Sequence, residues 1–523
     1  MPLLTQLPSG LEDAEALLKR RLKATKRKDM WRSTYQDCFR YAMPARETFS
    51  WQTEGQIRNN VLYDSTLQEA TYTAANTLTA LLFPGWTRWA ELAPGGGIPA
   101  EEVPPDIQDG LQKATQTFFN FLNHSNFAQV IGETALDLMV GTGALSFDEG
   151  DNDQPFVFTA IPLSAVELEE GPNGKIETTF MCRKPLARNL TRMYAEMESI
   201  DLPPLLEERI REKPDEEIEI VQGEVYDPET KRYYGIVIWV EGKNIIWRYD
   251  FGTSSPTIVA RATKCSGELY GRGRVMLALS DARTLDKMQE FVLRHSAVQV
   301  AGAFTGVSDG VLNPYTAIIA PNVVIPVASN DSGNPSLRPL DIGGNFQVTD
   351  ALMESMRQRV RRTMLGPEPS EGSVRSATEV GVNDRNRLWA MNGEFGRIQA
   401  ELLAKIVTRG VDILQRRGLM AKFRIDGQMV SVKYTSPFAK SQAQEDVQAV
   451  QNLLGLGQFI GPQMLMQGVK VEDIPAYIAE KTGVPIKLIR SEEEKMELAQ
   501  QVADAAAANP EGTAAAVGAV TGG

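Results

Sequence analysis

Arg274-Val275-Met276-Leu277-Ala278-Leu279-Ser280-Asp281-Ala282-Arg283-Thr284-Leu285-Asp286-Lys287-Met288-Gln289-Glu290-Phe291-Val292 opens the stretch around which this 523-residue chain is organised. Val275, Met276, Leu279, Leu285, Met288, Phe291, Val292 and Val298 recur at three- and four-residue steps. That spacing is one face of a helix and predicts an amphipathic helix of about eight turns. The period is lost over residues 303–346, where a compact β-like insert is expected. It returns at Leu352, Met353, Met356, Val360 and Met364 and stops at Gly366, Pro367 and Pro369, because proline cannot continue the helical ladder. Ser376-Ala377-Thr378-Glu379 then has the form of a capping box, whose hydroxyl and carboxylate satisfy the free N–H groups of a helix start and contribute about 1 kcal/mol. From there Leu388, Trp389, Phe395, Ile398, Leu402, Leu403, Ile406, Val411 and Leu414 run to Gly418 without a proline. A helix of about 40 residues, roughly 60 Å long, is predicted. A compact enzyme rarely needs that reach. Long one-sided helices leave apolar stripes that sister copies can cover through closed heterologous contacts.

Composition narrows the class. The hydrophobic and charged fractions, 42% and 23%, are those of an ordinary folding chain with room for several domains. No apolar run reaches the roughly 18 residues of a membrane span, and Met1-Pro2-Leu3-Leu4-Thr5-Gln6 does not read as a secretory signal, so a cytosolic origin is expected. Cys38, Cys182 and Cys265 are too few and scattered for a disulfide framework or zinc site and read as buried small hydrophobes. A net charge of −13 argues against wholesale wrapping of nucleic acid, which requires clustered cations, but leaves DNA open as a passenger. Much of the excess is local, with eleven acids against three bases in residues 201–229.

Along the chain, residues 11–42 read as a helix opened by Ser9 and Gly10 and ended by Pro44. Its basic run, Lys19, Arg20, Arg21, Lys23, Lys26, Arg27 and Lys28, reads as a solvated face, with a partner or nucleic-acid contact as the alternative. Residues 61–83 form a second helix, and residues 106–140 return to helical spacing. After Gly141-Thr142-Gly143 the period shifts towards two, predicting strands at 145–147, 156–161, 176–183, 217–226, 232–240, 244–250 and 256–263, with a helical insertion near 186–212. Asp426-Gly427 suits a hairpin turn between 423–425 and 429–434. Residues 439–498 are again largely helical, and the Ala/Gly-rich residues 499–523 are expected to be flexible. The fold class is α+β, mainly helical.

Catalytic motifs fail on inspection. Gly306-Val307-Ser308-Asp309-Gly310 has the GxSxG form, but no histidine follows it, since His124 and His295 both precede it. Gly171-Pro172-Asn173-Gly174-Lys175 lacks phosphate-loop spacing and reads as a hairpin turn. Gly141-Thr142-Gly143 and Gly271-Arg272-Gly273 do not complete GxGxxG. The acids from Asp148 to Asp153 miss the spacing of a calcium loop and read as a turn between strands. His295 reads as a packed or edge side chain. A metal-dependent nucleic-acid hydrolase built on Asp148, Asp151 and Asp153 is the remaining enzymatic alternative. No cofactor and no metal are expected.

Gly267-Glu268-Leu269-Tyr270-Gly271-Arg272-Gly273, continuing through Leu285-Asp286-Lys287-Met288-Gln289-Glu290, resembles the start of the first stem helix of head-to-tail connector (portal) proteins of short-tailed, podovirus-type bacteriophages. Arg375-Ser376-Ala377-Thr378-Glu379-Val380 resembles the start of their long helix after the channel loop. The similarity of arrangement covers most of residues 10–500. The resemblance implies a structural, non-enzymatic subunit of a ring, usually dodecameric, at one capsid vertex of the virion, made in the host cytoplasm. Double-stranded DNA would pass through it during packaging and ejection, driven by a separate terminase motor, with capsid, scaffolding and tail adaptor proteins as partners. It also implies a wing from residues 1–265 and 377–418, a stem from 266–301 and 347–365, a clip from 302–346, a channel loop from 366–376 and a crown from 419–498. Channel-loop candidates are Pro367, Glu368, Ser370, Glu371, Ser373 and Arg375. Arg357, Arg359, Arg361 and Arg362 either guide DNA or complement the negative end of the helix dipole. A helical scaffold or adaptor without a channel is the rival reading.

Overall fold

Asp13, rather than Ser9 or Gly10, opens the first helix: its carboxylate accepts from the N–H groups of Glu15 (2.8 Å) and Ala16 (3.2 Å), and α1 (Ala14–Ala42) follows. The computed structural model describes residues 7, 8, 10–50, 55, 62–85, 88–95, 104–151, 153–193, 202–301, 304–306, 337–339, 346–366, 394–421, 423, 430–434, 447, 449–455, 474 and 478. The capping box at 376–379, the 367–375 loop, Ser308, most of the 303–346 insert, the first strand of the 423–434 hairpin except Phe423, and residues 499–523 lie outside that set. Two units are distinguished, Met1–Ala80 with Leu92–Val432 and Leu81–Glu91 with Lys433–Gly523. In the second, Phe83 and Trp89 meet edge to face at 5.0 Å, and residues 449–455 are helical.

In the first unit, α2 (Thr66–Leu82) starts where Asp64 accepts from the Thr66 N–H. After β1 (Ala90–Pro94), the helical stretch predicted over 106–140 is two helices, α3 (Pro105–His124) and α4 (Phe127–Val140). They break at Asn126, whose side chain donates to the Phe158 carbonyl (2.7 Å) and accepts from its N–H (2.9 Å). Those two bonds give the chain a local alternative to helix.

The alternating segment folds into two antiparallel sheets. One has the order β3-β2-β9, from β2 (Thr142–Glu149), β3 (Phe156–Ile161) and β9 (Thr257–Arg261). The other has the order β4-β5-β6-β7-β8, from β4 (Val166–Glu170), β5 (Ile176–Arg183), β6 (Ile220–Asp227), β7 (Arg232–Trp239) and β8 (Asn244–Gly252). The helical insertion is α5 (Ala187–Met193) and α6 (Pro204–Glu212). Period two separates the faces of the larger sheet. Val221, Val225, Tyr234, Ile236 and Ile238 pack on Leu11 and on Ala14, Leu17 and Ala24 of α1. Ile220, Val237, Trp239, Ile246 and Trp247 pack on Ala187, Leu190 and Leu206 of the insertion.

The basic run of α1 is only partly a solvated face. Arg20 and Arg21 pair with Glu169 (2.8 Å) and Glu167 (2.9 Å) of β4, and Lys28, buried, donates to the Ser164 carbonyl at 2.6 Å. Lys19, Lys23, Lys26 and Arg27 remain exposed. The sequence reading places no strand at 166–170, so the acids of β4 gave no cue to that pairing. Among the cysteines, Cys38 is buried, Cys182 half-buried and Cys265 exposed. The third therefore departs from the buried reading.

The two glycine triplets that fail as nucleotide motifs meet each other. A Cβ on Gly141 would lie 2.2 Å from the Gly271 carbonyl oxygen, and one on Gly273 2.1 Å from that of Met139. The end of α4 and the loop leading into residue 274 thus cross backbone to backbone, which only glycine permits. Thr142 accepts from the Gly271 N–H at 2.9 Å, and the Tyr35 hydroxyl donates to the Gly271 carbonyl at 3.3 Å. Trp31, Tyr35, Phe49 and Tyr270 pack ring on ring beside the crossing.

Asp137, buried on α4, is pushed up to about 6 from the ordinary carboxylate value by burial, against the opposing pull of Arg46 at 3.3 Å. Between about pH 4 and 6 the folded chain therefore holds a proton that the unfolded chain releases, and stability falls as pH rises through that window. Asp137→Asn is expected to remove this slope, gaining on the wild type by about 2 kcal/mol between pH 4 and 7. Urea unfolding at several pH values checks it, and parallel profiles would contradict it.

Candidate functional site

The predicted paired helices are present. They are α7 (Arg274–Ala301) and α8 (Phe346–Leu365), 28 and 20 residues long, or about 42 and 30 Å. Between them, β10 (Phe304–Gly306) pairs antiparallel with β11 (Leu337–Pro339), which is the described part of the β-like insert. Val275, Ala278, Ala282 and Leu285 of α7 and Met353, Val360 and Met364 of α8 are buried. Other apolar side chains stay in the open: Leu277 is 72% exposed, Phe291 58%, Val348 63% and Leu352 47%. Phe291 belongs to the predicted stripe and Leu277 falls outside it, yet the two are two heptads apart and share one uncovered face of α7.

One end of the pair is fastened by charge. Arg274, at the first residue of α7, donates to both oxygens of Glu394 (3.2 and 3.0 Å) and to the Met364 carbonyl near the end of α8 (2.9 Å). Further along, Asp286 accepts from the N–H groups of Tyr63 (2.6 Å) and Asp64 (3.1 Å). Arg283 pairs with Asp37 of α1. Arg357 bonds to Asp64 (3.2 Å) and Gln289 (3.3 Å). From Lys287 onward the ion pairs of α7 among the described residues are internal to it, with Lys287 and Arg294 on Glu290.

The four candidate arginines divide accordingly. Arg357 is engaged by Asp64, while Arg359 and Arg362 are exposed and Arg361 half-buried. Arg359, Arg361 and Arg362 make no ion pair among the described residues. Gly366, left-handed at φ +83°, donates its N–H to the Arg362 carbonyl and closes α8. Pro367, Glu368, Ser370, Glu371, Ser373 and Arg375 lie outside the described residues. Arg274 nevertheless joins residues 364 and 394, so both ends of the intervening segment are held at the base of the pair. Sequence reasoning missed Arg274 and Glu394, because a contact 120 residues long leaves no local signal.

The long third helix is present from residue 394, with a π turn at Gln399–Leu403 leading into α9 (Ala404–Arg416). Arg261 of β9 bonds to Glu401 in that turn through its N–H (2.9 Å) and Nη2 (2.6 Å). The acidic turn after β2 is engaged by the helix end: Arg417 donates to Glu149 (2.9 Å) and to the Asp151 carbonyl (2.5 Å). Among the described residues no group of three or more His, Cys, Asp and Glu side chains is placed to hold a metal ion. No helix there is long and apolar enough to cross a membrane.

Among curated proteins none matches this chain. Solved structures similar to it include the virion of a native gene transfer agent particle, at 10% identity and TM-score 0.37, covering 76% of this chain and 88% of that one. The neck of the empty particle matches at 10% and 0.36, covering 73% and 88%. The neck of the native particle, computed with C12 symmetry, matches at 9% and 0.33, covering 73% and 86%. A family model described as bacteriophage head to tail connecting protein matches residues 14–489, a span that contains every helix and strand named above, and the chain belongs to that family.

Proposed function

We propose that this connector subunit assembles into a closed ring, dodecameric by expectation, that passes double-stranded DNA through an axial hole during packaging and ejection. The observation that carries the reading is the α7/α8 pair, fastened at its base through Arg274 and exposing Leu277, Phe291, Val348 and Leu352 along its length. Each such side chain gains about 1.5 to 3 kcal/mol when a neighbour buries it fully, so repetition around an axis converts a liability of the monomer into its interface.

In this reading α7 and α8 form the stem, the 302–346 insert is the clip that meets the terminase motor and later the tail adaptors, and the sheets with α1 and the 377–418 helix form the wing. Residues 366–376 line the channel, and 419–498 form the crown. Arg359 and Arg362, exposed near the loop, guide the polyanion without holding it. A channel that moves DNA needs few cations, because each phosphate contact adds affinity and releases counterions. The loop's Glu368 and Glu371 and the chain's net charge of −13 suit such a lumen. The subunit carries out no catalysis, in keeping with the structural character of its family.

Electron microscopy of the purified chain is expected to reveal rings with an axial hole. Rings lacking residues 367–375 are expected to assemble and yet to fail in DNA packaging or retention. A persistent monomer would discard the ring. Intact packaging by the shortened rings would discard the loop's role, and magnesium-dependent DNA cleavage abolished by Asp151→Ala would favour a nuclease.

A further inference from the structure

A cavity of about 160 Å³ lies between the larger sheet, the β8–β9 connection and α9. Its lining is rich in hydroxyls, and their commitments differ. Ser255 and Thr257 donate to Glu224, and Thr253 donates to Asp412, so those three can only accept from anything in the cavity. Ser254 accepts from Arg409 at 3.3 Å, which leaves its own proton free. Thr179 is 5% exposed, and its hydroxyl has no hydrogen-bond partner among the described residues. A buried polar group in that state carries its full desolvation cost.

The charges point the same way. Lys405 lines the cavity and makes no hydrogen bond or ion pair among the described residues. Burial holds its ammonium below the ordinary lysine range, and the carboxylate that favours its charge, Glu401, is already bonded to Arg261 and Arg397. One turn further along α9, Arg409 is buried on the carbonyls of Phe147 (3.3 Å), Phe251 (3.3 Å) and Ser254 (3.0 Å) without an ion pair, and its Nη2 has no partner among the described residues. The lining's acid, Glu177, has its carboxylate against Gly171 in the β4–β5 turn. Lys405, half-buried, and the unused hydroxyl protons of Ser254 and Thr179 thus border a space large enough for a small ion, with Arg409 behind Ser254.

We propose that this cavity is a small-oxyanion site that takes inorganic phosphate or an ion of the same shape, with Lys405 as counter-charge and the hydroxyls of Thr179 and Ser254 as donors. The assignment is independent of ring formation and of DNA passage. A phosphate could come from the free ion or from a nucleic-acid backbone, and the size of the cavity favours the free ion.

Isothermal titration of inorganic phosphate into the full chain, in chloride buffer of matched ionic strength, is expected to give saturable binding of one ion per chain. Lys405→Met is expected to weaken it about tenfold or more, as loss of a charge-assisted bond requires, and to fold, since it removes an unpaired desolvated cation. Thr179→Val is expected to weaken binding to a smaller degree. Absence of saturable heat with the wild type, or an unchanged isotherm in Lys405→Met, overturns the site. Should Lys405→Met not fold, wild-type affinity in Thr179→Val overturns it. A short DNA duplex that displaces the bound phosphate also overturns the free-ion assignment, in favour of a backbone contact.

Discussion

Gly271→Ala is expected to destabilise the fold by about 3 kcal/mol, the upper end of the usual cost of overpacking. The added Cβ would lie 2.2 Å from the Gly141 carbonyl oxygen and 3.0 Å from the Arg261 Cβ. Neither backbone can step aside freely. The Gly141 carbonyl accepts from the Ala262 N–H at 2.9 Å, and Arg272 exchanges backbone bonds with Thr263 at 3.1 and 2.9 Å. Relief therefore breaks ladder bonds at the crossing or displaces the start of α7, three residues on. Gly132→Ala on α4 is the control, because a Cβ there meets nothing within 4 Å. In a helix interior that change is expected to be neutral or to stabilise by up to about 1 kcal/mol. Thermal unfolding of the two variants separates them, and equal melting temperatures would mean that the crossing yields without cost.

The glycine triplets illustrate how far the sequence can be read. Gly141-Thr142-Gly143 and Gly271-Arg272-Gly273 announce a special backbone but not the partner, since a close approach is a property of two segments and each pattern describes one. Periodicity located α7, α8, α1 and most strands to within a few residues, because burial of one face imposes the spacing directly. It failed where a distant side chain decided the outcome. Asn126 divides the 106–140 stretch by bonding to Phe158, and Arg20 and Arg21 leave the solvated face for Glu169 and Glu167. In the turn between β7 and β8, the left-handed residue is Lys243, at φ +50°. Gly242 is there because a Cβ would lie 2.2 Å from the Trp239 ring. The candidate site follows the same rule. Its helices were legible, whereas Arg274, which joins their base to Glu394, was not.

Arg261→Met is expected to cost about 3 to 5 kcal/mol, the range for removing one member of a buried charge pair. The guanidinium is almost wholly buried and fully used. Nη2 donates to Glu401 (2.6 Å) and the Gly174 carbonyl (2.9 Å), and Nη1 to the Leu269 carbonyl (3.2 Å). One side chain therefore ties β9 to the β4–β5 turn, to the loop entering α7 and to the third helix. Its partner sits in the π turn at Gln399–Leu403, which widens the helix locally, and the predicted unbroken period from Leu388 to Leu414 gave no sign of that turn. If the turn exists to present Glu401 to Arg261, the two residues are energetically coupled. Glu401→Leu alone then strands the buried guanidinium, while the double variant Arg261→Met/Glu401→Leu recovers much of the loss, because apolar side chains can replace a buried ion pair at little cost. A double-mutant cycle from urea unfolding is expected to give a coupling of about 1 to 3 kcal/mol, and additive losses would separate the π turn from the clamp. Glu401 lies two turns beyond Glu394, which holds Arg274, so a helix released at Glu401 is expected to weaken the Arg274 contact as well.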